Sequence, residues 1–278
     1  MSATPPASRQ VDQANREYWD ELCGTGIARE LGVTDATPLS LARFDEWFFR
    51  HYSYLDRHIP FRALRGKRTL EVGLGFGSVS QRLAESGAQF TGLDIATAPV
   101  GMARHRLMQN RLPGNAVCGS ILQAPFPDAA FDWVVAIGCY HHTGNLQGAL
   151  DETHRLLRPG GTAIIMLYSA FSYRRWLGWP GATWRQLAAE RFGRGVGGRA
   201  NVDERRIYDK RLDGTAAPET VFTSVSGLRR MAAGFRHVTV TRENVESDIP
   251  LLRFVPRALR LAVFSPFIGL DLYCRLDK

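Results

Sequence analysis

An apolar run that breaks into three alternating glycines is the first feature of this sequence with chemistry in it. Residues 69–77 read TLEVGLGFG, so a strand-forming stretch carries the acid Glu71 and then passes into Gly73, Gly75 and Gly77. Glycine accepts sharp turns and carries no Cβ, which lets main-chain N–H groups approach a ligand closely. A second apolar stretch, FTGLDI at 90–95, closes on Asp94 and Ile95 about 20 residues beyond Gly73, the spacing at which nucleotide-binding folds hold a ribose diol. One carboxylate accepts from both hydroxyls at once. Asp94 could instead cap the helix that follows it, a frequent role for Asp, but that role leaves the glycine loop without a purpose. A dinucleotide GxGxxG fingerprint starting at Gly73 needs glycine at 78, where Ser78 stands.

These residues need a scaffold, and the chain around them alternates in the way that builds one. Between Thr69 and Ser169, short apolar strands near 69–73, 89–94, 115–118, 131–138 and 162–168 alternate with helices over Ser78–Ser86, Pro99–Gln109 and Asn145–Leu157. That pattern gives a doubly wound, mostly parallel sheet. Upstream, Val11 to Leu22 reads as a helix broken by the CGTG of 23–26, and Thr37 with Pro38 starts another. Leu41, Phe44, Phe48, Tyr52 and Leu55 form its apolar stripe, and Pro60 ends it. Residues 170–220 turn rich in arginine, tryptophan and glycine, as an insertion over one rim of the sheet would; GRGVGG at 193–198 can hardly hold regular structure. A helix over Ser224–Ala233 and strands at His237–Arg242 and Leu270–Arg275 return to the core. The expected units are an N-terminal helical cap (1–66), a nucleotide-binding core (67–168), a cap insertion (169–222) and a closing part of the sheet (223–278).

Bulk properties set the limits. The 278 residues are 45% hydrophobic and 22% charged, within the globular range. Cys23, Cys118, Cys139 and Cys274 show no CxxC pair or other metal-like spacing, so reduced thiols and no metal are expected. The opening MSATPPASRQ reads as a frayed terminus with no secretory core, and the default localisation is cytoplasmic. The net charge of +8 suits anionic partners or a plain solubilising surface equally. The apolar stretch 249–270 is long enough to span a bilayer, but Arg253, Arg257, Arg260 and three prolines argue against it. An amphipathic lid or core packing remains.

With these motifs in order, residues 68–169 resemble the class I S-adenosylmethionine-dependent methyltransferases, in particular the type 11-like bacterial enzymes that act on small molecules. Three further motifs support the resemblance: GSI at 119–121 with PFPD at 125–128, FDWVV at 131–135, and LRPGG at 157–161. The resemblance implies a Rossmann-like, seven-stranded α/β sheet with S-adenosylmethionine as cofactor. Glu71, Gly73, Gly75 and Gly77 would surround its methionyl part, Asp94 and Ile95 its ribose and adenine, and Ser120 with Ile121 would flank the adenine. Family members more often have Asp in place of Ser120, where it accepts from the adenine amine. Cys139 and Tyr18 are further cofactor contacts by the same likeness, Tyr18 with the competing reading that it packs its helix down.

The resemblance also sets GCYHHTG, 138–144, facing the reactive sulfonium, which makes His141 and His142 the candidate bases. A histidine near neutrality can take a proton from an acceptor hydroxyl or amine, or can simply orient the loop. The expected reaction is direct displacement onto a small-molecule acceptor. The rim segment 169–215 holds ten Arg or Lys against five Asp or Glu, which suggests an acidic or membrane-associated acceptor met by Arg174, Arg175, Arg205 and Arg206. Nucleic acid is disfavoured: no Asn/Asp-Pro-Pro-Tyr/Phe motif, no Pro-Cys nucleophile and no basic-aromatic groove occur. A nucleic-acid methyltransferase, a non-catalytic S-adenosylmethionine-binding protein and an NAD-dependent oxidoreductase are the alternatives. No pattern sets the oligomeric state.

Overall fold

Strands that bury both faces are mostly apolar, and the central strands here are, with Glu71 a buried exception in the first of them. The computed structural model describes residues 6–192, 197–249 and 252–278. Five strands run parallel: β1 (Arg68–Val72), β2 (Gln89–Asp94), β3 (Asn115–Cys118), β4 (Phe131–Ile137) and β5 (Leu157–Tyr168). Two short strands, β6 (Gly197–Arg199) and β7 (Val221–Thr223), pair antiparallel outside the main sheet. β8 (His237–Glu243) and β9 (Asp271–Asp277) complete a seven-stranded sheet of order β3-β2-β1-β4-β5-β9-β8, with β9 antiparallel to both neighbours. The direction of winding reverses between β1 and β4. A crevice therefore opens beyond their C-terminal ends, where Gly73 and Cys139 follow the two strands.

The expected α/β architecture is present, with differences at particular residues. β5 begins at Leu157, not 162, because Leu157 already pairs with Phe131 and the register shifts before Trp133 meets Thr162. The glycine pair after Pro159 is thus a detour inside a strand. The first helix, α1 (Pro6–Trp19), starts within the stretch read as a frayed terminus and ends earlier than expected. Residues 1–5, 193–196, 250 and 251 lie outside the described residues, and with them part of the terminus and most of GRGVGG. Gly197 and Gly198 do hold regular structure, since β7 supplies their backbone partners.

After α2 (Thr25–Glu30), Thr37 caps α3 (Pro38–His51) by accepting from the Ser40 N–H, with Pro38 in the first turn. That helix stops at His51 because Tyr52 leaves the helical region (φ −97°, ψ 48°), and Leu55 belongs to a separate turn, α4 (Leu55–His58). The crossovers are α5 (Ser78–Glu85), α6 (Thr97–Gln109) and α7 (Leu146–Leu156), the last capped by Asn145.

The rim consists of α8 (Tyr173–Gly178), α9 (Pro180–Arg191) and α10 (Val202–Tyr208), more regular than its composition suggested. At its centre Arg175 and Glu204, each about 2% exposed, form an ion pair. Arg175 also donates to Gln186 Oε1 and the Ala170 carbonyl, and its guanidinium lies over Phe222. α11 (Val225–Met231) follows. The 249–270 stretch divides into α12 (Arg257–Val263) and α13 (Ser265–Ile268), with Pro256 and Pro266 at their starts. No helix of the described residues is long and apolar enough to cross a membrane.

Candidate functional site

The crevice at the ends of β1 and β4 is a cavity walled by the motifs that the sequence singled out. Gly73, Leu74 and Gly75 form one wall, Asp94 and Ile95 a second, and Ser120 and Ile121 a third. At Gly73 the backbone is left-handed (φ +81°), and an added Cβ would lie 2.6 Å from the Cβ of Cys139. Cys139 itself donates its thiol to the Val72 carbonyl at 3.1 Å, tying β4 to β1 beneath the cavity. Gly77 does not line the cavity. It is a buried pivot at the start of α5, left-handed (φ +73°), and Arg106 packs where its Cβ would be. The fully buried Arg106 in turn donates to Phe76 O and to both oxygens of Asp45, fixing the far end of the loop.

Asp94 combines both roles the sequence left open. Its two carboxylate oxygens accept from the Leu74 and Ala96 N–H groups (2.7 and 2.9 Å), so it joins the glycine loop to the start of α6. Each oxygen keeps another lone pair, and the residue still lines the cavity. That arrangement fits a vicinal diol. Burial pushes its carboxyl up to about 6, opposed by the backbone N–H groups that favour the charge. Glu71, deeper in the wall, is pushed up to about 8, again by burial, although the Ser80 hydroxyl donates to it.

α1 lies across the cavity as a roof. Asn15 donates to the His142 carbonyl at 2.7 Å, and Arg16 reaches the Ile95 carbonyl. Asp20, just beyond the helix, accepts from Thr97 N, Thr97 Oγ1 and Ala98 N, so this segment caps α6 from outside. Tyr18 does not reach the cavity. Its side chain turns away, is 5% exposed, and donates to the Thr215 carbonyl, whereas its neighbour Trp19 lines the cavity and packs on His142. Asp12 also lines the cavity, opposite Ser120; burial raises its carboxyl and the Ser120 hydroxyl draws it back down. Asp12 thus sets a carboxylate beside Ser120 at the cavity wall.

The two histidines separate cleanly. His142 lines the cavity; its Nδ1 is 2.7 Å from the Glu219 carbonyl, which can only accept, so Nδ1 carries a proton, while Nε2 has no hydrogen-bond partner. Nε2 faces Asp209 Oδ2 at 3.6 Å. His141 is fully buried behind it, between His142 and Tyr168, and burial holds its imidazole well below the usual range. His141 therefore stays neutral, outside the cavity wall.

Sequence reasoning missed Asp209. It follows α10 in the rim, far from the histidines along the chain, and no local pattern marks it.

The rim arginines mostly serve the rim. Arg175 is the buried partner of Glu204, Arg205 donates to the Pro218 carbonyl, and Arg206 pairs with Asp203 on the surface. Of the four expected acceptor contacts, Arg174 lines a second cavity. That second cavity adjoins the first through Tyr52, Met166 and Tyr168, and contains His51, Glu246, Asp248 and Asp271. Arg174 is already paired there with Asp248 at 2.6 Å.

Comparison with known proteins agrees with this geometry. Residues 70–165 match a family model described as a methyltransferase domain. Over 105 residues the chain is 32% identical to a demethylmenaquinone methyltransferase of Tropheryma whipplei, covering 37% of this chain and 43% of that protein. It is also 32% identical over 126 residues to a malonyl-[acyl-carrier protein] O-methyltransferase of Serratia marcescens, covering 45% and 46%. The chain thus spans less than half the length of these two relatives. Among solved structures, a 1,6-didemethyltoxoflavin-N1-methyltransferase of Burkholderia thailandensis, with S-adenosylhomocysteine bound, superposes with a TM-score of 0.52. The match covers 100% of this chain and 93% of that one at 17% identity. An S-adenosylmethionine-dependent methyltransferase of Mesorhizobium loti gives 0.55 over 82% and 97%, at 14% identity.

Proposed function

We propose that the chain, whose residues 70–165 match a methyltransferase-domain model, uses a class I S-adenosylmethionine-dependent methyltransferase fold to move a methyl group from S-adenosylmethionine onto a small-molecule acceptor. The observation that carries this reading is Asp94, with both oxygens fixed by backbone N–H groups and lone pairs left toward the cavity beside the glycine loop. In this reading Asp94 holds the ribose hydroxyls, Ile95 and Ile121 sandwich the adenine, and Asp12 accepts from the adenine amine that Ser120 alone would leave without a carboxylate. Gly73 and Gly75 give the methionyl part close approach to backbone, while Glu71 and Cys139 close the floor beneath it. The cofactor supplies a methyl carbon activated by positive sulfur. The protein's contribution is alignment, which can lower a barrier by about 7–11 kcal/mol in favourable intramolecular cases.

Where the acceptor must lose a proton, His142 takes it at Nε2, with its tautomer set by Glu219. His141 packs behind it against Tyr168. The demethylmenaquinone methyltransferase among the relatives supports a small-molecule acceptor. An acidic acceptor has less support, since Arg174 shares its cavity with three acids.

Labelled methyl transfer from S-adenosylmethionine to phenol, carboxylate and amine acceptors tests this reading. His142→Gln is expected to slow transfer by about 100-fold or more while S-adenosylhomocysteine affinity changes by less than about threefold, under 1 kcal/mol. Equal rates in the two proteins would remove His142 from the chemistry.

Asp94 also gives a pH dependence. Its carboxylate must be ionised to accept from both ribose hydroxyls, and its pKa is about 6 before the ligand binds. Affinity is therefore retained above that value and lost as pH falls through it. S-adenosylhomocysteine affinity is expected to drop about tenfold between pH 7 and pH 5, and Asp94→Asn to flatten the profile. An unchanged affinity over that range in the parent protein would contradict the assignment.

A further inference from the structure

Four buried polar atoms beside the cofactor cavity lack a hydrogen-bond partner, and they belong to three residues that face one another. They are Nδ1 and Nε2 of His141, Nε2 of His142 and Oδ2 of Asp209. Native structures rarely leave even one buried side-chain nitrogen or oxygen unpaired, so four in one place call for a ligand. Each of the three residues offers one donor atom, and these donors lie within 4.8 Å of one another. The separation of 3.6 Å between His142 Nε2 and Asp209 Oδ2 is too long for a good hydrogen bond. It suits two atoms that share an ion.

We propose that His141, His142 and Asp209 form a site for a first-row divalent transition metal at the acceptor side of the cofactor cavity. Two imidazoles and one carboxylate are the donor set of Mn²⁺, Fe²⁺, Co²⁺ or Zn²⁺; Mg²⁺ and Ca²⁺ prefer all-oxygen surroundings. The outer partners that orient metal ligands are in place. His142 donates Nδ1–H to the Glu219 carbonyl, a frequent outer contact of metal-bound histidine. The Tyr168 hydroxyl donates to Asp209 Oδ1 at 3.1 Å, leaving Oδ2 for the ion. Trp19 on one side and Tyr168 on the other pack against the imidazoles and fix their rings.

Three protein donors leave coordination positions open, and both His142 and Asp209 line the cavity. An acceptor oxygen or amine could take an open position, which would select acceptors with a donor atom next to the methylated one. With an ion bound, His142 Nε2 no longer serves as the base, and coordination lowers the acceptor's own pKa instead. The cysteine and histidine spacing gave no sign of such a site, because its third ligand comes from the folded rim.

The test uses the full chain after chelator treatment, titrated with Co²⁺ and read by its visible ligand-field absorption, without cofactor. The expected result is saturation near one equivalent, competition by Zn²⁺, and affinity at least about tenfold lower in Asp209→Asn. His141→Phe, which keeps the packing on Tyr168, should lose affinity similarly, and far-ultraviolet circular dichroism identifies any variant that fails to fold. No absorption in the folded parent protein, or equal affinity in folded Asp209→Asn, would overturn the site. Cofactor binding is measured separately with S-adenosylhomocysteine, so failure of the metal site and failure of the methyltransferase reading are distinguishable.

Discussion

Gly73→Ala is expected to weaken S-adenosylhomocysteine binding by about 100-fold or more, equivalent to about 2.7 kcal/mol. Two costs combine at this position. The left-handed backbone penalises any side chain by roughly 1–2 kcal/mol, and the new Cβ would overlap the Cys139 Cβ at 2.6 Å, in a site packed from both sides. Relief requires the β1 and β4 ends to move apart, which breaks the Cys139 thiol contact to Val72 and shifts the loop away from the cavity. Cys139→Ala keeps the obstructing carbon and should not rescue the variant. Gly101→Ala, on the exposed side of α6 with nothing within 4 Å, is the matched control and should bind normally. Calorimetric titration of the three variants checks this, and tight binding by Gly73→Ala would show that the loop lies elsewhere.

Glu204→Ala is expected to destabilise the protein by about 3–5 kcal/mol, because it strands Arg175 as an unpaired charge in an interior position. It also removes one half of the capping box that Asn201 and Glu204 form at the start of α10. The melting temperature should fall on the order of 10 °C. Since Asp209 follows α10 directly, loss of its position would carry into the site. The double variant Arg175→Met with Glu204→Leu should recover most of the stability, as apolar replacement of both buried charges usually does. If the single variant melted with the parent protein, the pair would not be what holds the rim.

The parts of the fold that could be read from sequence are those whose physics is local. Strands buried on both faces announce themselves as continuous apolar runs, and β1, β2 and β4 start within a residue of their expected positions. Asp94 was legible because a carboxylate at a strand end, a fixed distance after a glycine loop, stands where a ribose diol is held. Which of two adjacent residues faces a cavity was not legible. Tyr18 and Trp19 share a helix and differ by about 100° around it, so only the docked helix shows that Trp19 faces in. His141 and His142 share a single 3₁₀ turn and divide the same way, one behind the wall and one in it. The rim reads as irregular in sequence because its order rests on long-range contacts: Arg175 to Glu204, β6 to β7, and Gln186 to the Phe222 carbonyl. Its arginines looked available for an acceptor only because their partners are distant in sequence. Asp209 and Asp12 were invisible for the same reason, each reaching the cavity from an element whose docking no local pattern encodes.

The most direct test is calorimetric titration of the parent protein and Asp94→Ala with S-adenosylmethionine, S-adenosylhomocysteine and NAD. The proposed function predicts that the first two bind the parent protein, that NAD does not, and that Asp94→Ala loses most of the affinity through the missing ribose contacts. Binding of NAD alone, or S-adenosylhomocysteine binding indifferent to Asp94→Ala, would contradict it.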